Sequence, residues 1–187
     1  MFILYPLLMG VLIGLLTGGS PAALGRLHLR WAGLAVGGLA TQVLVFSTPF
    51  GDVIGGLAPI VYIASTLASL LFVLANVRLP GLVLVAAGAA SNLLAIVANG
   101  GYMPATAAAL AAVGHQIGAG YSNSTTAATV ALAPLTDIFA LPRQLPMANV
   151  FSFGDVLIGA GVFVLVLVAM RRPRTGGAPE RSAAAPD

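Results

Sequence analysis

Apolar residues in this chain come in long unbroken runs, not at a helical or alternating period. Five runs stand out: Phe2 to about Thr17, Trp31 to about Ser47, Val53 to about Ala75, Leu82 to Ala98, and Ser152 to Met170. Their interiors carry no charge, and Asp155 lies in the first turn of the last. Runs of nearly 20 residues suit helices that cross a bilayer core of roughly 30 Å. In hydrocarbon a helix is the only open structure that pairs its own backbone groups. The pattern therefore predicts an all-α fold, a polytopic transmembrane helical bundle with about five spans at 2–17, 31–47, 53–75, 82–98 and 152–170. Residues 99–150 form a loop of about 50 residues, far beyond an ordinary connection, so structure or function of its own is expected there. Within it, the Ala-rich stretch from Pro104 to about Val113 reads as a short helix with Pro at its first position. Thr125 to Leu132 is apolar but too short to cross, and is expected to lie along the membrane or dip into it. One membrane domain thus covers 1–170. The segment after Met170, "RRPRTGGAPERSAAAPD", is too poor in apolar residues to fold alone and is expected to be a disordered cytoplasmic tail.

Composition agrees with this class. The 187 residues are 59% hydrophobic and 7% charged, against about a quarter charged in soluble domains. All eight basic residues are Arg, spread along the chain, so they make no basic face for nucleic acid. With no cysteine, disulfides, thiolate catalysis and Cys-ligated metals are excluded. No positive charge precedes the first apolar run, unlike a cleaved signal peptide, so a retained helix with its N-terminus outside is expected. Arg26, Arg30, Arg78, Arg171, Arg172, Arg174 and Arg181 then fall on the cytoplasmic side, and Arg143 alone falls outside, as the positive-inside rule requires. The loop 99–150 is external in this arrangement.

Four features could carry chemistry. Gln42 and Asn92 lie inside the second and fourth spans, and Tyr62, Ser65 or Thr66, and Ser69 form a polar stripe on the third. Interhelical hydrogen bonding, worth roughly 0.6–2 kcal/mol each, is one account of them; a polar path for a solute is the other. Gly33 and Gly37 form a GxxxG pair that reads as helix packing. "FSFGD" opens the last helix: Ser152 with Asp155 three residues on approaches a capping box, or leaves Asp155 as a carboxylate near the outer surface. His115, Asp137, Arg143 and Asp155 make an external polar set. His115, Asp137 and Asp155 are its acid–base candidates, set against an Asp137–Arg143 pair or an Asp cap as the structural account. Their spacings match no metal-ligand motif, so neither a metal nor any other cofactor is expected. Arg26, His28 and Arg30 in "GRLHLR" either hold lipid phosphates or fix topology. No span holds a buried charge of the kind that marks a proton relay, which counts against a proton-coupled transporter.

"ANGGYMPA" (Ala98 to Ala105), "LTDIFALP" (Leu135 to Pro142) and "FSFGDVLIGAGVF" (Phe151 to Phe163), in that order, resemble a family of small bacterial integral membrane proteins, a domain-of-unknown-function family numbered 5317. "GRLHLR" and "ANVRLPG" (Ala75 to Gly81) fit the same pattern. The resemblance implies a multi-pass protein of the bacterial plasma membrane and carries over no catalytic residue. It directs attention to Asn99, Gly100, Gly101, Met103 and Pro104 in the first motif, Asp137 and Pro142 in the second, and Ser152, Gly154 and Asp155 in the third. The leading expectation is a binding or accessory protein whose external loop caps the bundle and meets a lipid or a membrane-protein partner. A binding site would draw on Gln42, Asn92, Asn99, Gly100, Gly101, Met103, Pro104, Arg143 and Ser152. The alternatives are a small enzyme acting on a lipid-like substrate at the outer face, and a transporter of a neutral or amphipathic solute.

Overall fold

The computed structural model describes residues 2–114, 124–125 and 129–171. His115 and the tail from Arg172 onward lie outside the described residues, as does part of the Thr125–Leu132 stretch. The chain is mostly helical. Each apolar run becomes a helix: α1 (Leu4–Leu16), α2 (Ala32–Ser47), α4 (Ala58–Ala75), α5 (Leu82–Ala98) and α7 (Phe153–Arg171). Two shorter helices are α3 (Phe50–Ile54), which precedes α4, and α6 (Ala107–Val113), within the long loop.

Two of these segments are long and apolar enough to cross a membrane, 50–75 and 153–171. The apolar helices at 4–16, 32–46 and 82–98 are shorter. The third run does not begin as one regular helix. Gly55, at φ +50, ends α3, and a 3₁₀ turn over Gly55–Leu57 leads into α4. A left-handed residue cannot continue an α-helix, and glycine takes that conformation without a Cβ clash.

α7 is the central element. It packs against α1 on one side and α5 on the other; α5 in turn packs on α4, and α4 on α2. The layer order is therefore α1–α7–α5–α4–α2, with α1 and α2 at its two edges. Glycine permits the closest approaches. A Cβ on Gly88 of α5 would strike the Gly154 carbonyl of α7, and one on Gly161 would meet the Gly81 carbonyl at 2.5 Å. Between α2 and α4 the contact is made by Gly38, whose Cβ would meet Ser69 Oγ at 2.8 Å. The expected packing pair Gly33 and Gly37 has no neighbour within 4 Å. That expectation is corrected: GxxxG spacing identifies a smooth helix face, but Gly38 lies on the face turned toward α4.

Many buried positions are small: Ala58, Ala86, Ala95 and Ala169, with Gly10, Gly14, Gly88, Gly154, Gly159 and Gly161, sit in the contacts beside larger side chains such as Val45, Leu82, Ile96 and Met170. Large apolar side chains point outward, among them Leu8, Leu12 and Leu16 on α1, Val36 and Leu39 on α2, Ile60 and Leu67 on α4, and Val83 and Leu94 on α5.

The two ends of the layer differ in charge. At one end Arg171 Nε donates to Thr17 Oγ1 beyond α1, and the Arg30 backbone is clasped by the Asn76 amide at the end of α4. Arg26 and Arg78 are exposed in turns adjoining the same helix ends. At the other end the segment between α5 and α7 folds back over the layer, bringing Asp137 and Asp155.

That segment departs from expectation at its first helix. Pro104 is not at a helical first position but in β1 (Met103–Pro104), paired in parallel with β2 (Ser124–Thr125). The helix starts three residues after it, at Ala107, because Thr106 is the N-cap and accepts from Ala109 N at 3.2 Å. A threonine oxygen satisfies a free amide of the first turn, which a proline one turn earlier does not.

Candidate functional site

The three sequence motifs meet at one end of the layer. In the first, α5 ends at "NGG". Gly100 and Gly101 adopt φ +70 and +90, the left-handed conformation that glycine permits. Gly101 N donates to Ile96 O at 2.8 Å, and a Cβ there would strike Pro59. Asn99 is a clamp: its amide nitrogen donates to Ala95 O and to Ala131 O, and its amide oxygen accepts from Ala131 N at 3.0 Å. The chain then runs through β1, where Asp137 N donates to Pro104 O at 2.9 Å and Thr106 N to Asp137 O at 3.1 Å. The first motif thus fixes the backbone of the second on both sides of Asp137.

The second motif is tied to the third by β3 (Phe139–Ala140), antiparallel to β4 (Val150–Phe151). Phe151 stacks on Phe2 with ring centroids 4.3 Å apart and on Phe139 at 5.4 Å. Immediately after β4, Ser152 caps α7. Ser152 N donates to Asp155 Oδ2 at 3.0 Å and Asp155 N donates to Ser152 Oγ at 3.0 Å, the reciprocal pair of a capping box. Asn92 of α5 completes the group: its amide nitrogen donates to Asp155 Oδ1 at 2.9 Å, and its amide oxygen lies 2.8 Å from Ser152 Oγ.

Below this loop lies a cavity of about 410 Å³. Its polar lining comes from four helices of the layer and from the loop: Gln42 of α2, Tyr62, Thr66 and Ser69 of α4, Asn92 of α5 and Asp155 of α7, with Asp137 and Asn149 from the loop. Its apolar lining includes Phe2 and Ile3 at the start of α1, Ile96, Met103 and Ile158.

Electrostatically the two carboxylates differ. Asp155 is held by the two donors just described, Ser152 N and the Asn92 amide, and needs no cation. Asp137 is only 7% exposed, and its carboxyl accepts no hydrogen bond among the described residues. Burial, reinforced by the neighbouring charge of Asp155, raises its pKa from 3.8 to about 7. Both causes disfavour the ionised form. The expected Asp137–Arg143 pair does not form: Asp137 is buried, Arg143 sits in an exposed turn, and no ion pair joins them. The long apolar helices hold no charge along their interiors, but a nearly buried acid reaches the cavity from the loop instead.

The expected site residues therefore divide. Gln42, Asn92, Met103, Asp137 and Asp155 line the cavity; Ser152 (0% exposed) and Pro104 hold cavity residues in place; Asn99, Gly100 and Gly101 shape the loop; Arg143 stands apart. Gln42 also donates to Thr66 Oγ1 at 3.4 Å, so bundle cohesion and cavity lining coincide in one side chain. Asn149, Phe2 and Ile3 line the cavity without having been expected there, since no polar or apolar period marks them. Among the described residues, no group of three His, Cys, Asp or Glu side chains could hold a metal ion.

Fold and site together define a helical protein with a loop-capped polar cavity at its acidic end. The chain belongs to a family of unknown function (DUF5317), which matches residues 26–167. That match spans α2 to α7 and all three motifs converging on the cavity, in line with the resemblance their sequences carry. No curated protein and no solved structure matches the chain.

Proposed function

We propose that this protein is an integral plasma-membrane binding protein whose loop caps a cavity for an amphipathic, lipid-like ligand. The observation that carries the reading is the cavity, which gathers polar groups from four helices and two loop carboxamide or carboxyl side chains, yet is bordered by Phe2, Ile3, Ile96 and Ile158. Cavities of 300–1,000 Å³ with an apolar wall and a few convergent polar groups are the usual form of a small-molecule site.

Membrane integration is supported by the side-chain distribution. Small residues at helix contacts and large aliphatic residues on the outside suit lipid, where close backbone approach, not apolar burial, drives helices together. Five spans, with the shorter helices α1, α2 and α5 accommodated by local thinning of the bilayer, account for that whole surface. The arginine-bearing end faces the cytoplasm and the acidic, capped end faces outward, so both the N-terminus and the cap are external.

The test uses Ala89, which lines the cavity on α5. Protein purified in mild detergent is expected to retain a reproducible lipid species, measured by mass spectrometry of the extract. Ala89→Phe fills the cavity and is expected to lower that retention at least fivefold, with thermal melting confirming the fold. Equal retention by the two proteins would dismiss the site.

A second reading rests on the same two carboxylates, whose environments set them apart as acid and base. In that case the protein is a small enzyme acting on a lipid-like substrate at the outer face. Wild type, but not Asp155→Asn, would then accumulate a chemically altered lipid.

A further inference from the structure

The polar end of the cavity has a sign. It contains two carboxylates, and among the described residues no cationic side chain lines it. Among the described residues, the titratable groups on the elements packed around Asp137 are Asp155 of α7 and Tyr62 of α4; α2, α5 and α6 contribute none, and Arg143 is exposed. Asp155 has its oxygens occupied by Asn92 and Ser152. Asp137, more than nine-tenths buried, turns to the cavity with no hydrogen bond to its carboxyl among the described residues. Asn149, also in the lining, has a buried amide oxygen with no partner there. Two unsatisfied acceptors thus face one space, where a buried acceptor without a donor costs free energy.

We propose that the cavity takes the ammonium head of an amphipathic amine, which donates to Asp137 and the Asn149 amide oxygen, and that its entry displaces the proton from Asp137 to solvent. This inference rests on the binding function proposed above and names its ligand class. The exchange balances: one cation enters, one proton leaves, and the charge of the site is unchanged. An ammonium has three donors and no acceptor, matching a lining in which acceptors are in surplus. Its aliphatic chain lies along Ile96, Ile158 and the Phe2 ring. A neutral alcohol satisfies one acceptor and displaces nothing, and a carboxylate is repelled by Asp155.

The experiment compares three probes of equal chain length, octylammonium, octanol and octanoate, binding to the full chain in lipid nanodiscs. Isothermal titration calorimetry at pH 7 in two buffers of different ionisation enthalpy counts the protons released, with empty nanodiscs as the blank. Octylammonium is expected to bind about tenfold more tightly than octanol, octanoate not at all. With Asp137 near half protonation at pH 7, about half a proton is released per ammonium bound, falling toward zero at pH 9. Asp137→Asn is expected to abolish the release and weaken octylammonium about tenfold. Octanol binding as tightly as octylammonium, octylammonium binding without proton release at pH 7, or the absence of any probe binding overturns the inference. If octanol binds as tightly as octylammonium and Ala89→Phe blocks both, the lipid-binding reading stands while the cationic one falls; if wild type also retains no more lipid than Ala89→Phe, both fall.

Discussion

Gly88→Val is expected to destabilise the protein by about 3 kcal/mol, the upper end for overpacking a well-fitted contact. A Cβ at Gly88 would strike the Gly154 carbonyl oxygen and would lie 3.0 Å from Ile158 N. Both are backbone atoms of α7, so no side-chain rotation relieves the clash and the two helices must separate. Separation also pulls Asn92 of α5 away from Asp155 of α7 and from its cap Ser152, two bonds that order the cavity. The variant is therefore expected to lose lipid retention along with stability. Gly37→Ala supplies the contrast. Gly37 lies in the interior of α2 with open space around it. An added methyl there meets nothing and restricts the unfolded chain, so a gain of about 0.5–1 kcal/mol is expected. Thermal unfolding in detergent, compared across the two variants and wild type, checks both. Equal losses would show that α5 and α7 are not in the contact described.

Asp137 makes stability fall as pH rises. Its folded-state pKa of about 7 lies above the 3.8 of the free side chain. Between those values the folded protein binds a proton that the unfolded chain has released. The unfolded state therefore binds fewer protons there, and stability declines from about pH 4 until the native group ionises near pH 7. The whole effect is on the order of 4 kcal/mol. Asp137→Asn removes the titration while keeping shape and hydrogen-bond reach. It is expected to match wild type near pH 4 and to exceed it by several kcal/mol at pH 8, flattening the wild-type profile of melting temperature against pH. Parallel profiles for the two proteins would show that Asp137 is solvated or paired.

How much of this was legible beforehand depends on the range of the interaction. The helices were legible because each is written in a local apolar run, and the α7 cap because Ser152 and Asp155 are three residues apart. The Gly-Gly stop was legible for the same reason. What escaped was the assembly. Asn92 and Ser152, or Gln42 and Thr66, meet only through the layer order α1–α7–α5–α4–α2, which no local pattern encodes. Hence residues read separately, the amides expected within the helices' apolar runs and the acids expected in and beside the loop, line one space. Asp137 shows the error that nearness in sequence invites. Arg143 is its nearest basic residue along the chain, but the backbone of Asp137 is fixed by Pro104 and Thr106, which turn its side chain inward. Pro104 shows another: a proline before an Ala-rich stretch suggested a helix start, while Thr106 held the stronger cap. Asn99, the most distinctive polar residue of its motif, serves the loop, because its amide matches the Ala131 backbone on both sides.

A high-resolution structure of the full chain in a lipid bilayer mimic, solved alongside Ala89→Phe, tests the central claim most directly. The account predicts elongated density in the wild-type cavity, its polar end against Asp137 and Asn149 and its tail along Ile96, Ile158 and the Phe2 ring, and no such density in the variant. A wild-type cavity that holds only water, or that is the same in both proteins, would contradict it.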